Sequence, residues 1–395
     1  MLRHTLTLSL ALAAATSFAA TKDSSKSQAK PEATKEKSAL DKLWDFPVLY
    51  KNDKNAIIEE LDFTGRFQLD WFGIDSNKDK TFKQGDIDYT EIRRFRLGID
   101  SWFLNRHLQL KATVDTSLAS YHKQAVFYNR MTDLYLNYKF SDAVSIRAGK
   151  FEPHFSYDRE FSDNLHKFFE RGFFDEQIFN NTGNDYAAGA SVLGKIGNFG
   201  YQAAVFSNQV NKEFGLFSGG SSELLEVSYD FAKTIGADKA LWAVDYMHMD
   251  LNGQSNVFNT MHNAAATYFD YQKGRFGLVT QIGYGNGTTA KGDLFGFTLM
   301  PTYYIIPEKL EVIARYQYGT SDQANGITTL GRQVSNVGKF TGDTYNSAYV
   351  GLNYYIYGQK AKLMVGAQYD ELTGGSGANT NYRGWTTLVG FRVFW

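Results

Sequence analysis

The chain contains no cysteine. Disulfide staples, thiolate metal sites and cysteine nucleophiles are therefore all excluded. Proline is almost absent too, at 5 residues against 36 glycines. That balance suits strands joined by glycine-rich loops. The charge has almost no sign: 41 Lys and Arg face 42 Asp and Glu, a formal net charge of -1, which argues against nucleic acid as a partner. Mean hydropathy is negative, and beyond the first residues no apolar run approaches the roughly 20 residues that a membrane helix needs. If this chain lies in a membrane, it crosses as strands.

Catalytic and metal signatures are missing as well. Gly283-Tyr284-Gly285-Asn286-Gly287 has the superficial spacing of a phosphate cradle, but no Lys-Ser/Thr or helix pattern follows, so it reads as a loop tip. The seven histidines show no short metal-ligand spacing and read as wall or loop residues. Carboxylates are plentiful, and no pair stands out as an acid and base. The reading is of a chain that is not an enzyme and that needs neither a metal nor a cofactor.

Aromatics, by contrast, make up 16% of the residues, with 25 Tyr and 31 Phe. The stretch from Trp385 to Trp395 places Trp385, Thr387, Val389, Phe391, Val393 and Trp395 on one face with period two. An apolar face running to a terminal aromatic suits a strand paired on both sides and coated with lipid. At the other end, Arg3 and His4 precede an apolar run from Leu6 through Ala15, and Ser17-Phe18-Ala19 offers a cleavage site. Residues 1–19 thus read as a secretory signal peptide. Residues 20–59 read as a periplasmic linker, rich in Lys, Ser, Glu and Ala, ending in a rim segment around Leu43 to Tyr50.

From residue 60 to 395 the two-residue period recurs. In the first strand Leu61, Phe63, Phe67, Leu69 and Trp71 face out, while Asp62, Thr64, Arg66, Gln68 and Asp70 face in. Three more strands follow near Arg94 to Phe103, Leu108 to Asp115 and Asp133 to Phe140. Twelve further candidates centre on Ile146, Ala188, Tyr201, Val227, Val244, Thr267, Leu278, Phe297, Val312, Val350, Val365 and Val389, with the alternation least clean between 185 and 275. The fold class is all-β: a transmembrane antiparallel β-barrel of about 16 strands. Short links such as Leu104-Asn105-Arg106 and Pro307-Glu308-Lys309 become periplasmic turns. The stretches 74–88, 151–184, 208–220, 319–343 and 371–383 become external loops, and the longest, 151–184, folds inward as a constriction loop.

On this parity Arg66, Arg94, Arg96, Arg147, Arg315 and Arg392 point into the lumen, with Lys111, Lys139 and Lys362 beside them. Guanidinium groups in a narrow aqueous passage attract anions and offer bidentate hydrogen bonds to phosphate or carboxylate. They serve equally as salt-bridge ladders with Asp62, Asp70, Asp100, Asp115 and Asp133, holding the wall rigid. Both uses stand open at this point.

The segments Phe63-Thr64-Gly65-Arg66-Phe67-Gln68, Arg93-Arg94-Phe95-Arg96-Leu97, Arg147-Ala148-Gly149-Lys150-Phe151 and Phe169-Glu170-Arg171 carry a resemblance. In these the chain resembles the phosphate-selective porin O and P family, most sharply across residues 61 to 200 and at the C-terminus. The resemblance implies a 16-stranded homotrimeric outer-membrane porin whose third external loop enters the pore. It brings Arg66, Arg94 and Arg171 to the constriction, with Arg159 upstream in the same loop and Asp115 late in the third strand, and the parity above adds Arg96. It implies passive diffusion of small hydrophilic solutes with a preference for anions such as phosphate. The partners implied are outer-membrane lipid, permeant anions and the barrel-assembly machinery acting through the C-terminal strand. The loop also carries Glu152, Asp158, Glu160, Asp163 and Glu170, whose charges oppose that attraction by about 4 kcal/mol per close pair at an effective dielectric of about 20. A general, sugar-specific or organic-acid-specific channel is the alternative, with Tyr303-Tyr304 and Tyr354-Tyr355 as stacking surfaces. A barrel lipase or protease and a non-conducting adhesin are rivals from other classes.

Overall fold

The computed structural model describes residues 38–76, 86–117, 126–179, 185–209, 213–250, 261–287, 292–328, 332–377 and 380–395. The signal peptide, residues 20–37 of the linker, and parts of the loops expected at 74–88, 151–184, 208–220, 319–343 and 371–383 lie outside the described residues. What is described is dominated by one antiparallel sheet of 17 strands, of which the short β1 (Val48–Lys51) is an addition at the rim and the other 16 are the staves of a closed barrel.

The staves run in chain order, each paired to the next. They are β2 (Ile58–Ser76), β3 (Asp86–Phe103), β4 (Leu108–Ser117), β5 (Val126–Lys139), β6 (Ser145–Phe151), β7 (Ala187–Ile196), β8 (Phe199–Ser207) and β9 (Ser221–Asp230). Then come β10 (Lys239–Met249), β11 (Asn263–Lys273), β12 (Phe276–Asn286), β13 (Leu294–Ile306) and β14 (Leu310–Ser321). A small pair, β15 (Ile327–Thr328) with β16 (Thr341–Gly342), lies off the wall, and β17 (Thr344–Tyr357), β18 (Ala361–Thr373) and β19 (Tyr382–Phe394) complete the ring. Every strand centre read from the sequence falls inside one of these staves. Closure comes from β19 on β2, in register from Gly384 opposite Ser76 to Phe394 opposite Arg66. The Gly65 and Trp395 amides then donate to each other's carbonyls at 3.1 and 3.0 Å. With every edge paired, the backbone of the wall is satisfied without water, as lipid requires.

Side chains follow the period-two pattern. Leu136, Val227, Val244, Ile282, Val350, Leu363, Val365 and Val389 stand exposed on the outside, while Gln68, Asp70, Arg96, Asn137, Arg147, Asp245, Gln281 and Gln317 are buried on the inside. An apolar exterior over a polar interior is the reverse of a soluble fold. The tyrosine pairs split accordingly: Tyr303 and Tyr354 face outward, whereas Tyr355 is buried and donates to Glu311 at 2.6 Å.

Turn chemistry sets one end of the barrel. Leu104, Asn105 and Arg106 all take positive φ, a costly run for non-glycine residues, and the Glu59 carboxylate accepts from the Asn105 and Arg106 amides to hold it. At the same end a five-residue helix, Ala39–Leu43, begins with a Ser38/Asp41 capping box. The Trp44 indole donates to the Phe394 carbonyl at 2.9 Å, and β1 pairs with the start of β2. The segment before the barrel is thereby packed over the seam where the ring closes.

The apolar core sits inside the lumen. Phe155, Phe173, Phe174, Ile178 and Phe179 cluster with wall residues Phe151, Phe206, Leu224 and Tyr345, and Phe168 and Phe169 cluster with Phe72, Tyr349 and Leu388. Each buried Phe contributes roughly 2 kcal/mol. The loop after β6 is therefore a packed plug element rather than a floating strand.

Candidate functional site

The described part of that loop, 152–179 with 185–186, contains a short helix Tyr157–Glu160, a 3-10 turn Asp163–Leu165 and a helix Phe173–Ile178. Its seating depends on a row of glycines. Gly283 of β12 pairs with Gly296 of β13, which pairs with Gly319 of β14, so three adjacent staves present no side chain at one level. Phe173 and Phe174 occupy the trough. A Cβ on Gly283 would lie 2.3 Å from Phe174 Cε1, and one on Gly319 would lie 2.0 Å from Phe173 Cε1. This corrects the reading of 283–287 as a loop tip. Gly283 to Asn286 are strand, and the first two glycines of that run are spaced by two because they line an inward face against bulky loop side chains.

Opposite the glycine row, β2 to β5 present arginines. The β2–β3 ladder runs Gln68 opposite Arg94 and then Leu69 opposite Ile92, leaving Arg93 as an extra residue. Such a bulge re-aims side chains. It lets both members of the Arg93-Arg94 pair reach the lumen: Arg93 makes a bidentate pair with Glu170 at 2.6 and 2.7 Å, and Arg94 donates to Gln68 at 2.9 Å. Strict alternation would have turned Arg93 to lipid.

At the centre is one carboxylate. Asp163 Oδ2 lies 3.4 Å from Arg66, 3.4 Å from Arg94 and 3.6 Å from Arg96, while Oδ1 lies 2.6 Å from Arg171. Burial works against the charge on Asp163, but Arg171, Arg94, Arg96 and Arg66 outweigh it and hold the carboxyl well below the usual carboxylate range. The network extends on both sides. Arg171 and Arg159 share Glu152 at 2.5 and 2.7 Å and Asp185 at 3.2 and 3.4 Å, and Arg159 grips Asp175 at 2.6 Å while lying 3.6 Å over the Phe179 ring. On the wall Arg96 reaches Asp115 at 3.2 Å and donates to the Tyr186 hydroxyl at 2.9 Å, and Arg130 bridges Asp115 and Asp185 at 3.5 and 3.1 Å.

All six residues expected at the constriction, Arg66, Arg94, Arg96, Asp115, Arg159 and Arg171, thus fall in one ion-pair network. They are not equivalent. Arg159 and Arg171 tie the loop to itself, with side chains 3% and 7% exposed, whereas Arg66 keeps 12% and Arg130 keeps 18%. Sequence reasoning passed over Arg93, Arg130, Asp175, Asp185 and Tyr186. Their parity or position in the loop gave no signal, because what recruits them is the loop's path across the lumen. Among the other expected inward cations, Arg392 pairs with Asp70, Arg315 donates to the Glu170 carbonyl at 2.9 Å and Lys362 donates to the His166 carbonyl at 2.6 Å, whereas Arg147, 4.6 Å over the Tyr135 ring, keeps Nε and Nη1 without a hydrogen-bond partner. A second loop element joins the plug, with Arg332 pairing Glu91 and Gln333 donating to Glu170 at 3.3 Å.

Comparison with known proteins decides the class. Residues 61–235, which run from within β2 through β9 and include Arg66, Arg94, Arg96, Arg130, Arg159 and Arg171, match the family model described as phosphate-selective porin O and P. Over these residues the chain is similar to that porin family. No curated protein matches it in sequence. The fold is shared with OmpT of Vibrio cholerae, at 14% identity over 88% of this chain and 100% of that one with a TM-score of 0.54. It is shared also with the anion-selective porin of Comamonas acidovorans, at 11% identity, 85% and 99% coverage and a TM-score of 0.59, and with OprB of Pseudomonas putida, at 12% identity, 85% and 94% coverage and a TM-score of 0.59. The barrel is an outer-membrane porin, its apolar outer face set in the bacterial outer membrane. Family and fold point to a channel rather than an enzyme.

Proposed function

We propose that this porin passes small hydrophilic solutes passively, with a preference for anions such as phosphate, and that it catalyses no reaction. The constriction is formed by Arg66, Arg94, Arg96, Asp115, Arg159 and Arg171, joined by Arg93 and Arg130. The observation that carries the preference is Asp163, a single carboxylate met by four guanidinium groups. An arrangement that accommodates one tethered carboxylate suits a small oxyanion equally, since both offer several acceptor oxygens to planar donors. A permeant anion competes with Asp163 for the outer arginines, Arg66 and Arg94. A screening length of about 8 Å at physiological salt leaves those charges effective across a narrow lumen.

Residues 1–19 act as the export signal and 20–59 stay periplasmic, beside the end of the barrel that carries the short turns. The protein works as a homotrimer, a reading supported by the OmpT structure described in its trimer form. β19 is the strand that engages the barrel-assembly machinery. A second reading, a general channel, is favoured by the pairing itself. Arg66, Arg94, Arg96, Arg130, Arg159 and Arg171 stand against Asp115, Glu152, Asp163, Asp175 and Asp185, which leaves an excess of one positive charge. The test is the zero-current potential of the purified protein in a planar bilayer under a potassium chloride gradient. Wild type is expected to prefer chloride, and the Arg66→Ala/Arg94→Ala double variant to lose or reverse that preference. A cation-preferring wild type, or a double variant identical to it, leaves the general channel as the correct reading.

A further inference from the structure

On the side of the loop away from the arginines a different chemistry converges. His154 lies two residues before Ser156, whose φ of 67° turns the chain sharply into the helix Tyr157–Glu160, and Glu160 closes that helix. Glu226 projects inward from the middle of β9. One ligand atom from each of His154, Glu160 and Glu226 lies within 4.8 Å of the other two. His154 is only 3% exposed, and its Nε2 has no hydrogen-bond partner. Next to it, Asp245 of β10 is 1% exposed. Its Oδ2 accepts the Ser156 amide at 2.8 Å, whereas its Oδ1 is likewise unpartnered.

An imidazole nitrogen this deeply buried without a partner is costly. Beside two carboxylates it has the make-up of a metal ligand. We propose that His154, Glu160 and Glu226 bind a divalent transition-metal ion of the zinc type, which clasps the constriction loop to β9. The imidazole selects such ions over magnesium or calcium, which prefer oxygen donors alone, and the two carboxylates neutralise the incoming charge. Zinc holds nitrogen and oxygen ligands at about 2.0–2.1 Å, so tetrahedral ligand atoms stand about 3.4 Å apart. Ligand atoms within 4.8 Å of one another move inward by about 1.4 Å at most to reach that spacing, and a water molecule fills the fourth position. Two ligands come from the loop and one from the wall, so the ion acts as a removable cross-link between them.

The test uses full-length protein, purified in detergent, freed of lipopolysaccharide and washed with chelator. It is titrated with zinc chloride in a calorimeter at neutral pH. One zinc per chain is expected, with an affinity on the order of micromolar that falls about tenfold or more in His154→Gln and in Glu226→Gln. Magnesium chloride is expected to show no saturable binding of that stoichiometry. Because substitution of a buried residue can disturb folding, variants count only if they keep the β-sheet spectrum and heat-modifiable migration of wild type. A second measurement needs wild type alone: its melting temperature rises progressively with zinc concentration. The proposal is overturned by wild type that neither binds zinc saturably nor gains thermal stability from it, by variants that bind as tightly as wild type, or by magnesium binding equally well. None of these readouts depends on whether the channel prefers anions.

Discussion

Where the constriction loop touches β2 to β5, Glu152, Asp163, Asp175 and Asp185 each have an arginine within ion-pairing distance. Where the same loop touches β9 and β10, His154 and Asp245 are as deeply buried, yet each keeps an atom with no partner. In the first contact every one of these carboxylates meets an arginine, and the ion pairs hold the loop by themselves. The second is open and gains from an added cation. A plug anchored on both sides of a pore thus uses two kinds of anchor, one permanent and one exchangeable, and only the permanent one lies among the groups that a permeant anion would meet.

Removing both anchors is the largest perturbation. Deletion of Ser156 to Lys167 takes away Glu160 and Asp163 together, and single-channel conductance should rise roughly twofold or more because the obstruction goes while the wall remains. Unchanged conductance would place the narrowest point elsewhere. Asp163→Asn strikes the arginine side alone. Four guanidinium groups then lose their shared counter-charge, so anion preference in the zero-current potential should increase. Thermal resistance should fall by the equivalent of about 3 kcal/mol for a broken buried ion pair. If selectivity does not move, Asp163 is remote from the ion path and the comparison between the two sides loses its functional meaning.

Gly319→Ala leaves both charged anchors intact and disturbs the apolar footing between them. A Cβ there meets the Phe173 ring, at a cost of about 1–3 kcal/mol of overpacking. A lower melting temperature with increased open-channel noise is expected. The smallest effect concerns pH. Burial first, then the charges of Glu170 and Asp175, push the Glu176 carboxyl up to about 8. A raised acid pKa means the folded protein favours the neutral form, so the group costs stability as pH climbs from the ordinary glutamate range through 8. Between pH 6 and 9 one negative charge should appear on the loop and trim the anion preference, and Glu176→Gln should abolish that drift in zero-current potential. Equal drift in the variant assigns the titration to another group.

The barrel was legible because its cause is local. Alternation within ten residues is enough to find a stave, and even β7 and β11, where alanine and glycine blur the contrast, fell at Ala188 and Thr267 as expected. The inward arginines were legible for the same reason, but their partners were not. Asp163 meets Arg66, Arg94 and Arg96 across sequence distances that no period connects, and Arg93 enters the lumen only through a bulge. The histidines failed for a related reason. Short ligand spacing is the signature of a metal site carried on one element, whereas His154 and Glu226 come from a loop and a wall strand. The glycine row at 283, 296 and 319 is invisible in one dimension, because it exists only once three strands stand side by side.

That row has a mechanical consequence. The loop leaves the wall at β6, is fixed at Ser156 to β10, at Asp163 to β2 and β3, at Lys167 to β17 through the Asn353 amide, and at Phe173 and Phe174 to β12, β13 and β14. These footings are spread around most of the circumference, like spokes from a hub. A hollow hydrogen-bonded tube resists stretching along its ladders but ovalises easily when squeezed from the side. Spoked from within, the same tube keeps its cross-section under lateral load. The loop is in this sense a brace for the wall as well as its filling.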